Sequence, residues 1–86
     1  MATIRTKDAD EAAFIWSQDG FDLDRTEVEQ GYRKSVIFFV FNTDKTTEEI
    51  NELISDYKNG KTLVEPKRYA WRRAEVKGII REKLFS

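Results

Sequence analysis

The densest apolar stretch of this chain is Val36-Ile37-Phe38-Phe39-Val40-Phe41, directly after Ser35. Each of these residues is β-branched or aromatic, which suits a pleated strand far better than a helix this short. Successive strand side chains point to opposite faces, so Val36, Phe38 and Val40 share one face and Ile37, Phe39 and Phe41 the other. Both faces are apolar, and both need cover from helices or from another chain. Upstream, Phe21-Asp22-Leu23-Asp24-Arg25-Thr26 opens with apolar and polar residues in alternation, the mark of a strand buried on one side. Glu29-Gln30-Gly31-Tyr32 predicts a turn, with Gly31 as its permissive residue. The two runs make a hairpin whose outer strand is the more polar one, as an edge requires. Ala2-Thr3-Ile4-Arg5 suits a further short strand.

Helical spacing appears in three places. Ala9, Ala12, Ala13 and Trp16 recur at i, i+3, i+4 and i+7, predicting a helix over about 8–18, capped by Thr6 or Asp8 and followed by Gly20. Thr46-Thr47-Glu48-Glu49 is a capping box, and Ile50, Leu53, Ile54 and Tyr57 form one stripe behind it. Lys58 and Gly60 close that helix, giving about 47–59. Pro66, the only proline, fits the first position of a third helix over about 66–84. Between them Lys61-Thr62-Leu63-Val64 is β-prone. The pattern predicts one α+β domain over residues 1–86, in the order β-α-β-β-α-(β)-α, with a small antiparallel sheet centred on 35–41. Three helices suffice to sheathe both faces of such a sheet.

The third helix is the informative surface. On a wheel of about 100° per residue, Tyr69, Val76, Ile80 and Leu84 fall together, with Ile79 beside them, as a core stripe. Roughly opposite lie Trp71, Ala74, Gly78 and Phe85, with Ala70 at the margin and Lys67, Lys77 and Arg81 around them. Glycine inside a helix costs about 1 kcal/mol relative to alanine, so Gly78 marks a place where something approaches closely. Three readings are open. The first helix packs there; or Trp71, Ala74, Gly78 and Phe85 meet a protein partner or a second copy of the chain; or Trp71 stacks on a base while Lys67, Arg68, Arg72, Lys77 and Arg81 meet phosphates. The last requires those cations to stay unpaired. Otherwise the stems of Arg72 and Arg73 cover the core edge and their guanidinium groups pair with acids of the first half.

Charge sharpens this choice. The net charge is −1, but residues 1–60 carry seven cations against thirteen anions (−6), and residues 61–86 carry eight against three (+5). Attraction between the halves within one fold accounts for such a split as readily as an anionic partner does. The chain has no Cys and no His, which excludes disulfides and thiolate sites and leaves neither the commonest metal ligand nor the commonest general base. No apolar run reaches membrane-spanning length, and Met1 to Glu11 lacks a basic region followed by an apolar one, so no signal peptide and a cytoplasmic location are expected. None of the phosphate-loop, dinucleotide, zinc-protease, CxxC or GxSxG motifs occurs. Ser17, Ser35, Ser55 and Ser86 have no histidine to activate them. Asp22 and Asp24 would share one side of a strand, where a solvated edge explains them better than a metal or acid–base pair. The expectation is a non-catalytic protein with no cofactor, no metal and no small-molecule substrate.

Several of these segments together carry a resemblance: the short helix ending at Gly20-Phe21, the run 36–41, Tyr57-Lys58-Asn59-Gly60, Val64-Glu65-Pro66-Lys67-Arg68-Tyr69, and the basic last helix with Arg73 and Lys77. From about Thr6 to Lys83 the chain resembles a family of small uncharacterised domains of bacteria, archaea and their viruses, known only as a domain of unknown function. Tyr-x-x-Gly followed by Val-x-Pro-x-x-Tyr is its strongest part. The resemblance implies no activity. It implies a phage or mobile-element context, hence host cytoplasm, and fold roles for Gly60 (chain reversal), Pro66 (helix start) and Tyr69 (core packing).

Overall fold

The computed structural model describes residues 2–61 and 64–85, the side chain of Phe85 excepted. Its elements run β1 (Ala2–Thr6), α1 (Ala9–Ser17), β2 (Phe21–Gln30), β3 (Ser35–Thr43), α2 (Thr47–Lys58) and α3 (Pro66–Phe85). The strands form one antiparallel sheet in the order β1-β3-β2, with the apolar run in the middle. The fold is α+β in the predicted order; the additional strand expected at Lys61–Val64 lies partly outside the described residues.

Local chemistry sets the ends of these elements. The Asp8 carboxylate accepts from the amides of Asp10 and Glu11 at the start of α1. The Thr46 hydroxyl accepts from Glu49 N at 3.1 Å and Thr46 N donates to Glu49 Oε1 at 3.0 Å, closing the capping box. Glu65 accepts from the amides of Lys67 and Arg68 ahead of Pro66. Gly60 reverses the chain in the left-handed region at φ +70°.

The hairpin departs from expectation at its turn. Glu29 and Gln30 belong to β2, opposite Val36 and Ser35, and the turn is Gly31 to Lys34. Gly31 N donates to Lys34 O at 2.8 Å, and a Cβ on Gly31 would stand 2.6 Å from that oxygen. The glycine is needed for this close approach, not for a positive φ, which among the described residues only Gly20 and Gly60 adopt.

A β-bulge at Asp24 decides which side of β2 is buried. Phe21 and Leu23 pair with Thr43 and Phe41 on the inner face, but after the bulge Arg25 pairs with Val40, Thr26 with Phe39 and Glu27 with Phe38. The inserted residue reverses the alternation. Without it Arg25, Glu27 and Glu29 would face the core.

All three helices cover the inner face. Ile37, Phe39 and Phe41 of β3 join Ile4, Phe21, Ala12, Phe14 and Ile15 of the first elements, Ile50 of α2 and Val76 of α3 in one buried cluster. Phe14 stacks on Tyr57 with centroids 4.5 Å apart. Cover by helices or by another chain was expected on both faces, with three helices sufficient for it; the helices instead share the inner face. Val36, Phe38 and Val40 lie outside that cluster, flanked by Arg5, Arg25, Glu27 and Glu29 of the neighbouring strands. The Arg5 guanidinium sits 3.5 Å from the Phe38 ring centroid and donates to Glu27 at 2.8 Å and Glu29 at 3.3 Å, while Arg25 donates to Glu27 at 3.0 Å and to Asp24. Val40, between two arginine stems, is only 2% exposed. A charged lattice does the work assigned to helices.

Candidate interaction face on the third helix

Helix α3 turns its core stripe toward α1. Val76 is fully buried, and Tyr69, Ile79 and Ile80 pack on the core, whereas Leu84 at the far end is 39% exposed. The opposite face stays open. Ala70, Trp71, Ala74, Lys77, Gly78 and Arg81 are all exposed, and a Cβ on Gly78 would meet nothing within 4 Å. Among the described residues no element of the fold covers this face, so α1 does not pack there; it packs on the other side of α3. Trp71 is 59% exposed, an unusual position for the residue with the most apolar surface to bury. A hollow of about 340 Å³ runs along the flank of the helix, lined by Tyr69, Ala70, Arg73, Ala74 and Lys77.

Trp71 is held rather than loose. The Arg72 guanidinium carbon is 4.2 Å from the Trp16 ring centroid and 4.4 Å from the Trp71 ring centroid. Trp16 in turn leans on Phe41 at 6.4 Å. A chain of ring and guanidinium contacts therefore runs from the core to the exposed indole. Arg72 also donates to Glu75 at 3.2 Å, while its buried Nε has no acceptor. Fixing the indole in advance lowers the ordering cost of any later contact.

The five cations proposed for phosphates divide. Arg68 donates to Asp19 at 2.6 Å, and Arg72 is taken up by Glu75 and the two indoles. Arg73 likewise reaches Asp10 at 3.0 Å. Part of the charge split is thus internal pairing of the two halves. Lys67, Lys77 and Arg81 have no ion-pair partner among the described residues. Of the four residues proposed for a partner, Trp71, Ala74 and Gly78 share the open face, and the Phe85 side chain lies outside the described residues. Asp22 and Asp24 are not the simple pair that alternation predicts: Asp24 is the bulge residue and binds Arg25, and Asp22 borders a depression with Gly20, Asn42, Thr43 and Asp44.

Two features escaped the sequence reading. Trp16 is the clamp on Arg72, a long-range contact that no spacing reveals. Tyr32 is 99% exposed at the hairpin tip, with the Arg33 guanidinium 5.9 Å from its ring centroid. An aromatic residue followed by Arg33 and Lys34 in a turn was the available signal.

The geometry is that of a small α+β protein with one exposed helix face. Its sequence matches the family described as Domain of unknown function (DUF5659) over residues 1–82, nearly the whole chain, and the chain belongs to that family. No curated protein and no solved structure matches it. No helix among the described residues is long and apolar enough to cross a membrane.

Proposed function

We propose that this chain is a non-catalytic binding protein whose outward α3 face contacts a partner protein. The observation that carries the reading is Trp71, exposed yet clamped by Arg72, above a strip of small residues at Ala70, Ala74 and Gly78. Tryptophan is the residue type most enriched among interface hot spots, and small neighbours let a second backbone come close. A cytoplasmic setting in a phage or mobile element rests on the family resemblance alone.

Photo-crosslinking in the native cell tests this. A photoreactive residue at position 71 should give a discrete protein adduct that is absent when the probe stands at exposed Gln30. Identical adduct patterns from both positions would remove the reading.

A second reading has its own support: Lys67, Lys77 and Arg81 are exposed along the same helix as an indole able to stack on a base. It predicts binding to single-stranded DNA or RNA that weakens steeply as salt rises, and no binding at about 50 mM salt would sink it.

A further inference from the structure

The α3 face carries an exposed indole with Lys67, Lys77 and Arg81 spread along the same helix and without ion-pair partners among the described residues, so its natural counterpart is a surface with an apolar floor and acidic residues along it. The molecule presents one on α2. Lys45, Glu49, Glu52, Leu53 and Asp56 line an open hollow of about 240 Å³, with Leu53 the apolar member and three carboxylates around it. Glu49 and Glu52 are exposed and have no ion-pair partner among the described residues; Lys45 is the one cation in the rim. Glu48 extends the acidic surface toward the start of the helix.

We infer that the partner of the α3 face is a second copy of this chain, with Trp71 of one copy seated over Leu53 of the next and Lys67, Lys77 and Arg81 set against Glu49, Glu52 and Asp56. This inference rests on the preceding reading of α3 as a protein-binding face and names its occupant. Charge decides among the partners a second copy could offer. Two α3 faces meeting each other would oppose Lys67, Lys77 and Arg81 with their own copies, which is repulsive. Meeting α2 instead brings the basic part of the chain onto the acidic part, and Trp71 gains an apolar seat. The contact is heterologous: the patch that gives differs from the patch that receives.

Sedimentation of the full chain at rising concentration tests it, at about 50 mM and about 500 mM salt, which span strong and weak screening of exposed charges. The mean mass should rise with concentration at low salt and fall back at high salt. Trp71→Ala should weaken association at least about tenfold. K67E/K77E/R81E and E49K/E52K/D56K should each sediment as monomers when alone and associate when mixed, because only the mixture restores opposite charges. Circular dichroism of each variant keeps unfolding from being mistaken for lost association. A strict monomer at low salt, association indifferent to Trp71→Ala, or a failure of the mixed variants to associate each overturns the inference. If the chain is monomeric while position 71 still crosslinks to a different protein, only the identity of the partner falls. If position 71 crosslinks to nucleic acid alone, both readings of a protein contact fall.

Discussion

Two glycines show how one residue type serves opposite ends. Gly31 stands in a turn where an added Cβ would lie 2.6 Å from Lys34 O, whereas Gly78 stands in open space on a helix. Gly31→Ala should therefore lower stability by about 1–3 kcal/mol, the usual cost of forcing atoms into occupied space. Gly78→Ala should raise it by up to about 1 kcal/mol, because alanine is the better helix former and nothing obstructs it. Urea unfolding of both variants checks the pair; a destabilised Gly78→Ala would mean an unseen neighbour. A monomer stabilised by Gly78→Ala would also show that this glycine is not kept for the fold itself.

At the scale of elements, the outer sheet face is the instructive case. Each exposed ion pair there contributes little by itself, about 0–1 kcal/mol. Their larger role is to lay aliphatic stems over Phe38 and Val40. Arg5→Met, which keeps the stem and loses the charge, should cost less than Arg5→Ala, which uncovers both side chains and should bind more of an apolar-surface dye. Equal losses would assign the effect to charge alone. Acid acts on the same lattice. The hydrogen bond from Arg5, with that from Arg25, holds the Glu27 carboxyl below its usual range, and the amide of Thr46 does the same for Glu49. A depressed carboxylate stabilises the fold above its unfolded value, and that contribution is lost as pH falls below about 4.5. Burial raises the Tyr57 hydroxyl, so its contribution is present below about pH 10 and lost above it. Thermal midpoints should decline on both limbs, and Glu27→Gln should flatten the acid one.

At the scale of the whole molecule, the two halves are joined more by packing than by charge. Arg68–Asp19 and Arg73–Asp10 bridge them, but their side chains are 44%/89% and 46%/54% exposed. Breaking either should cost at most about 1 kcal/mol and matter less as salt rises. Phe14 is fully buried in the cluster that α1 shares with α2, α3 and the sheet. Phe14→Ala should cost about 3–5 kcal/mol, a large part of the about 5–15 kcal/mol that stabilises an ordinary domain. Denaturant midpoints of the three variants at two salt concentrations separate the terms.

Periodicity and end signals are local, and so Ser35 to Phe41, the Thr46–Glu49 box, the Ile50–Tyr57 stripe and the start of α3 at Pro66 were all legible in the chain. The sorting of α3 into a core stripe and an opposite Trp71 side was legible for the same reason, since helical geometry sorts residues by angle; that α1 leaves the Trp71 side uncovered was not, because it depends on neighbours. What the sequence could not determine was who stands across from whom. The bulge at Asp24 sends Arg25, Glu27 and Glu29 to the outer face, and only strand register reveals it. The clamp of Trp16 and Arg72 on Trp71 joins residues from separate helices. Whether Arg68 and Arg73 were free or paired depended on Asp19 and Asp10 arriving beside them. These contacts are made between residues distant along the chain, so tertiary packing decides them, and with them which cations of α3 remain available to a partner.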